Sequence, residues 1–336
     1  MKFYTGEGVG FPEEANKRIG ELVAGDDLKP AGQGNIKCIN LMVDYLNFMK
    51  KNFRIGEGQK APRVVLDCGN ASACLSVPRP FKELGIETVE LFCRPDPEFP
   101  NRDMDPQPEN LTELCKKVVE EKADFGVAFD GDGDRAVIVD ERGRVLTPDQ
   151  TGIILGKGIL AEKGPGTILA NLECSMAFES ILTPLGAKIS RIPVGHTFLT
   201  LEAKNQNVLV GVESSGHVVI PEYYFFDDAI FIPLKIAEIL SKSGKVLSEL
   251  ADEVPIYPKK RINFDCPDQK KFQVIKSLQK RLPGEYQDVN TLDGVRVQLD
   301  NGWVLIRASN TSPLIRITGE ASTENDLKEL LDKFSG

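Results

Sequence analysis

The chain has 336 residues, 41% of them hydrophobic and 27% charged, enough for two or three domains with sizeable cores. Its net charge of −9 argues against nonspecific nucleic-acid binding, although a few local arginines and lysines can still hold a phosphate. Seven scattered cysteines without a C-x-x-C pair point to reduced thiols in a cytoplasmic protein, not a disulfide framework or zinc site. No signal peptide opens the chain, and no apolar run approaches the ~20 residues of a membrane span.

Lys2-Phe3-Tyr4 reads as a strand with no polar lead-in, so the opening resembles the inside of a domain more than a beginning. Pro12 to Val23 predicts a short helix started by proline and acidic residues, and the turn-rich Asp26 to Asn35 a connector. A helix is expected from Ile36 to Phe53, with Ile39, Met42, Val43 and Leu46 on one face. Arg63 to Asp67 is a predicted strand, the stretch through Leu84 helical, and Glu87 to Phe92 another strand. Leu111, Leu114, Cys115, Val118 and Val119 recur at helical spacing before a strand that starts at Phe125. This alternation implies a mostly parallel sheet covered by helices.

A second α/β unit is expected from about Leu146 to Lys242, with strands at Thr167 to Asn171, Ala187 to Ile192 and Asn207 to Val212. Its last helix, Asp228 to Ser241, is apolar enough to be buried. Pro255 to Lys260 reads as a linker. The remainder reads as α+β, with strands at Val295 to Leu299, Trp303 to Ala308 and Leu314 to Thr318, and a closing helix capped near Thr323.

Three stretches carry chemistry. In Asp130-Gly131-Asp132-Gly133-Asp134-Arg135, between two predicted strands, carboxylates stand at every second position of a tight turn. The glycines let alternate side chains converge, and an all-oxygen set selects a hard cation such as Mg²⁺. Arg135 adds a fork-shaped donor suited to a phosphate beside the metal. A solvated hairpin turn is the plainer reading of the same residues. An EF-hand loop needs glycine where Arg135 stands, and helices where strands are predicted. Glu213, Ser215 and His217 alternate in a second loop, so an extended backbone points all three one way as a rack for sugar hydroxyls; a polar hairpin edge accounts for them equally well. Arg307-Ala308-Ser309-Asn310-Thr311-Ser312-Pro313 offers a guanidinium, hydroxyls and an amide for phosphate, on what is also a common turn composition. No G-x-S-x-G elbow supports a hydrolase triad.

Taken together and in this order, DGDGDR, RIPVGH, ESSGH and RASNTSPLIR resemble the α-D-phosphohexomutase family over nearly the whole chain. The resemblance implies a phosphomannomutase/phosphoglucomutase-type enzyme that interconverts hexose 1-phosphate and hexose 6-phosphate through a bisphosphate. It implies an α/β fold: two related three-layer α/β/α units and a C-terminal α+β domain. On this chain those are residues 1–30 as a remnant of a first domain, 31–145, 146–253 and 254–336. Asp130, Asp132 and Asp134 would hold Mg²⁺, and Arg135 would act at the transferred phosphoryl group. Gly195, His196, Glu213, Ser215 and His217 would meet the sugar. Arg307, Ser309, Asn310, Thr311 and Arg316 would take the other phosphate. Lys2 matches a candidate proton-transfer lysine. The preferred ligands would be hexose phosphates, with a hexose bisphosphate as intermediate and activator.

Two departures qualify the likeness. The family's phosphoserine loop, a T-A-S-H-N-P-like run, is absent from these 336 residues, so the expectation is a chain that starts just after the nucleophile, in want of an N-terminal segment. Surface meant to pack against such a segment could also drive self-association. Glu173 stands where some members carry a phosphate-facing lysine. His196, where phosphoglucosamine mutases often have aspartate, leans the resemblance toward glucose or mannose phosphates. A sugar-phosphate-binding protein without catalysis is the rival expectation.

Overall fold

The computed structural model describes residues 3–6, 8–25, 32, 34–55, 61–309 and 312–335. Lys2, Asn310 and Thr311 lie outside the described residues, as does most of the expected connector at Asp26 to Asn35. The expected opening strand is reduced to one antiparallel bridge between Tyr4 and Gly10. Helix α1 (Glu13–Ala24) follows. Helix α2 (Met42–Asn52) begins six residues later than expected. The Asn40 side chain accepts the Met42 N–H at 3.0 Å and sets a turn there. Ile36, Ile39 and Val43 are exposed, and the face that packs is Leu46 and Met49.

The first α/β unit contains β1 (Arg63–Asp67), α3 (Pro78–Glu83), β2 (Glu87–Leu91), α4 (Thr112–Glu120), β3 (Phe125–Phe129) and β4 (Ala136–Asp140). The helical stretch expected before Leu84 is a single 3₁₀ turn plus α3, divided where Pro78 and Pro80 enter. Its sheet runs β2-β1-β3-β4, parallel except for β4.

The second unit contains α5 (Pro148–Lys163), β5 (Gly166–Asn171), α6 (Ala177–Leu182), β6 (Ala187–Ile192), α7 (His196–Asn205), β7 (Val208–Val212) and β8 (Val218–Val219). Its order is β6-β5-β7-β8, again with only the last strand antiparallel. The same strand order with the same directions appears twice. Helices α8 (Phe231–Ser243) and α9 (Leu247–Asp252) follow. One apolar cluster runs from Met49 and Phe125 through Ile153 and Phe178 to Leu234, so the two units share a core.

The C-terminal part contains β9 (Lys259–Asp265), α10 (Asp268–Glu285), β10 (Asp288–Asn290), β11 (Val295–Leu299), β12 (Gly302–Ala308), β13 (Leu314–Ala321) and α11 (Glu324–Ser335). The antiparallel order is β10-β11-β12-β13-β9, over a core of its own. The expected linker at Pro255 to Lys260 thus ends inside an edge strand. Thr323 caps α11 as expected, its hydroxyl accepting the Asp326 N–H at 3.1 Å. Among the described residues no helix is long and apolar enough to cross a membrane.

Candidate active site

The candidate metal loop, Asp130 to Arg135, leaves the carboxyl end of β3, where ligands of parallel sheets collect. Asp130 is 1% exposed, and its Oδ1 accepts the N–H groups of Gly133, Asp134 and Arg135 at 2.9, 3.1 and 3.2 Å. One carboxylate therefore folds the loop that presents the other two. Single oxygens of Asp130, Asp132 and Asp134 lie within 4.8 Å of one another. Burial first, and then the neighbouring Asp134, raise the Asp130 carboxyl above its ordinary value. Crowded, desolvated carboxylates of this kind fit a hard divalent cation. Arg135 is less available than its sequence context suggests. Its Nε donates to Asp130 Oδ2 and its Nη1 to Asp105 Oδ1, both at 2.8 Å. Asp105 sits on the surface, so this second bond is open to replacement by a phosphate oxygen.

A buried ion pair braces the loop from behind. Arg102 Nε donates to Asp67 at 2.9 Å and its Nη2 to the Phe129 carbonyl at 2.7 Å, tying the ends of β1 and β3 together. Gly69, at φ +55°, gives the guanidinium room, since a Cβ there would stand 2.7 Å from Arg102 Cζ. Ser72 Oγ donates to the Gly131 carbonyl at 2.8 Å.

Glu213 to His217 form a tight turn between β7 and β8 and not the extended rack. The Gly216 N–H donates to the Glu213 carbonyl and the Glu213 N–H to the His217 carbonyl, both at 2.9 Å. Gly216 adopts φ +101°, which closes the turn. Ser215 Oγ donates to Glu213 Oε1 at 3.1 Å. Burial raises the Glu213 carboxyl against the pull of His217 and Ser215.

His217 turns toward the metal loop, with Nδ1 2.9 Å from Asp227 and 3.8 Å from Asp134. Burial alone would lower its basicity, but the Asp227 hydrogen bond and the charge of Asp134 carry it above the ordinary value. His196 opens α7 after Gly195, lies 3.5 Å from Asp227 and stacks on His217 with ring centres 5.6 Å apart. Both histidines therefore converge on Asp227, a buried residue with no local sequence signal beyond the polar Asp227-Asp228 pair that precedes α8.

On the C-terminal sheet, Arg307 of β12 stands opposite Arg316 of β13. Arg307 Nη2 pairs with Asp293 at 3.0 Å. The buried Nε atoms of Arg307 and Arg316 have no hydrogen-bond partner among the described residues. Ser309 is buried and its Oγ accepts the Ser312 N–H at 3.2 Å. Arg135, Glu173, Glu213, Ser215, Arg307 and Arg316 line one cavity of ≈ 520 Å³. A second cavity, ≈ 620 Å³, opens on Asp132, Gly133 and Asp134 from the side of Tyr45 and Asp228. The metal loop thus walls both.

A carboxylate set with the donor chemistry of a hard-cation site thus stands beside an arginine-lined cavity on an α/β fold, and Arg135 belongs to both. The chain belongs to the phosphoglucomutase/phosphomannomutase family of phosphohexomutases. Residues 43–143 match that family's α/β/α domain II, 147–257 its α/β/α domain III and 262–336 its C-terminal domain. A probable phosphoglucosamine mutase of Methanopyrus kandleri is 34% identical over 338 residues, covering 99% of this chain and 74% of the relative. A phosphoglucomutase/phosphomannomutase of Thermococcus kodakarensis is 33% identical over 336 residues, with 99% and 74% covered. The crystal structure of a phosphoglucomutase/phosphomannomutase family protein from Burkholderia thailandensis shares the fold at a TM-score of 0.87 and 26% identity, covering 98% of this chain and 70% of that one.

Proposed function

We propose that this chain provides the metal, sugar and phosphate sites of a mutase that interconverts the 1- and 6-phosphates of glucose or mannose through a bisphosphate. The observation that carries this is one cavity bounded at once by Arg135 of the metal loop, Glu213 and Ser215 of the sugar turn, and Arg307 and Arg316 of the C-terminal sheet. Asp130, Asp132 and Asp134 would hold Mg²⁺, which when bound neutralises charge on a phosphoryl group. Arg135 releases Asp105 to meet that group, while Glu213, Ser215 and His217 orient hydroxyls. Arg307 and Arg316, with Ser309, Asn310 and Thr311, hold the remote phosphate, and Lys2 is the proposed proton-transfer residue. The working parts divide near residues 30, 145 and 253.

The 336 residues contain no T-A-S-H-N-P-like loop, so ligand binding without turnover is the expected behaviour of these residues by themselves. The test is a coupled assay with glucose and mannose 1-phosphates, Mg²⁺ and a trace of hexose 1,6-bisphosphate, beside a melt in the same ligands. Protection without turnover supports the proposal. Turnover abolished by Asp132→Asn places an unrecognised phosphoryl carrier in this sequence. The absence of both protection and turnover overturns it. Glucosamine phosphate belongs in the panel. The Methanopyrus relative's name suggests it, and Glu213 Oε2, without a hydrogen-bond partner among the described residues, would accept an ammonium as readily as a hydroxyl.

A further inference from the structure

The strands β12, β13 and β9 lie side by side, and their registers bring three guanidinium groups to one face. Arg307 pairs with Arg316, and Arg261 pairs with Thr318, two residues along β13 from Arg316. Residues two apart on a strand share a face, so Arg261, Arg307 and Arg316 converge, and all three line the same cavity. Arg261 carries no signal in the sequence, sitting in the charged run Lys259-Lys260-Arg261.

Its partner belongs to the second α/β unit. Arg261 Nη2 donates to Glu173 Oε2 at 2.9 Å. The two side chains are unequally placed, Glu173 7% exposed and Arg261 46%. Lys259 Nζ holds the Glu173 backbone carbonyl and reaches Asp149 at 3.3 Å, so the carboxylate is the anchored member. Ser214 Oγ reaches the same Glu173 oxygen at 3.5 Å. The guanidinium is the more exposed member, and its Nε reaches Thr318 Oγ1 at 3.4 Å. Its fork needs only one amine for Glu173, which leaves another for a cavity ligand.

We propose that Arg261 is a third phosphate-binding guanidinium of this cavity and that Glu173 is its positioning residue. Glu173 aims a cation from the neighbouring unit into the cavity that both residues line. The ligand class is a phosphate monoester dianion on a sugar, which rests on the function proposed above. Its oxygens would also satisfy the unpartnered Nε atoms of Arg307 and Arg316. Because Glu173 and Arg261 lie on different units, ligand binding also tightens that junction.

The test measures Kd for glucose 6-phosphate, mannose 6-phosphate and inorganic phosphate by calorimetry, with Mg²⁺ binding as a control on the fold. Arg261→Gln should weaken hexose phosphate binding at least about tenfold, as loss of a charge-assisted hydrogen bond does. Arg261→Lys should recover part of it and Mg²⁺ affinity should stay put. Glu173→Gln should weaken binding less. The double variant Arg261→Gln/Glu173→Gln should bind no worse than Arg261→Gln, since Glu173 acts only through Arg261. The double variant also leaves no uncompensated buried carboxylate, so it carries the test if Arg261→Gln does not fold. Wild-type affinity in Arg261→Gln or in the double variant overturns this inference and leaves the proposed function standing. A wild type that binds none of these ligands overturns both.

Discussion

Asp130 and Asp132 sit two residues apart in one loop and do different work. Asp130 is enclosed and spends an oxygen on three backbone N–H groups, whereas Asp132 is exposed. Asp130→Ala is therefore a folding lesion first: the loop amides lose their acceptor and Arg135 loses Asp130, at a cost of about 1–3 kcal/mol per orphaned donor set. Asp132→Asn should leave the melting temperature within a degree or two of wild type. It should lower Mg²⁺ affinity by more than about tenfold, or about 1.4 kcal/mol. Titration calorimetry and a thermal melt on the two variants separate these outcomes; equal Tm losses would show that the loop does not have this division. Gly216→Ala tests the sugar turn in the same way. At φ +101° an L-residue is strained by about 1–2 kcal/mol, and no heavy atom beyond its neighbours comes closer than 3.8 Å to the added Cβ. The expected result is a small Tm loss with hexose phosphate affinity reduced through Glu213 and Ser215, while Mg²⁺ binding is unchanged.

Helix α8 is the element on which the two α/β units lean, and it buries a cation. Lys235 Nζ lies 2.7 Å from Glu238 and 2.9 Å from Glu162, with both Lys235 and Glu238 almost wholly enclosed. Lys235→Met leaves Glu238, among the described residues, with only the surface Lys242 at 3.2 Å, and should cost about 3–5 kcal/mol. Lys235→Met/Glu238→Leu should recover most of that by chemical denaturation. Glu162 supplies the pH signature. Burial would raise its carboxyl, yet the hydrogen bond and charge of Lys235 bring it below the ordinary value. A lowered folded value means stability present above the unfolded value of 4.5 and lost as pH falls through the folded one. Glu162→Gln should flatten the acid side of the stability curve; an unchanged slope would remove Glu162 from the account. At this scale the sequence was legible where local signals agree. The strand Ala187–Ile192 lies between Gly186 and Pro193 and was read to the residue. It was not legible where a partner decides. β9 is charged and largely exposed, and is a strand only because β13 pairs along it from Leu314 to Glu320. The apolar Ile36 and Ile39 imitate a helix face, but Asn40 sets a turn before the helix begins. Asp130, Asp132 and Asp134, the histidines and Arg307 were visible as motifs. Asp227, Arg261 and Asp105 enter the site only through tertiary approach.

At the scale of the whole molecule, three sheets are held by two unequal joints. The first two units share one apolar cluster, so neither can unfold without exposing the other's core. The C-terminal sheet keeps its own cluster and meets the second unit through a small one, Leu172, Trp303 and Leu305, with Met176 and Val194 against it. Polar contacts reinforce that joint. Glu320 accepts the Trp303 Nε1–H and the Met176 N–H, each at 2.8 Å, and Arg296 lies 4.7 Å over the indole. Trp303→Ala removes the largest side chain of the joint and leaves the Glu320 carboxylate with the Met176 N–H alone of these two donors, a cost of about 3–5 kcal/mol from the cavity alone. The loss falls on the coupling between units, so scanning calorimetry should show the C-terminal sheet melting apart from the rest, at lower temperature. Binding should split along the same line. Mg²⁺ affinity, proposed for the first unit, should persist, while hexose phosphate affinity should fall because Arg261, Arg307 and Arg316 all ride on the loosened sheet. A single shifted transition with both affinities intact would mean that the sheet is held by more than this joint. The separated outcome would mean that the cavity is assembled by domain docking, so that the strength of the Trp303 contact sets how well the sugar phosphate is gripped.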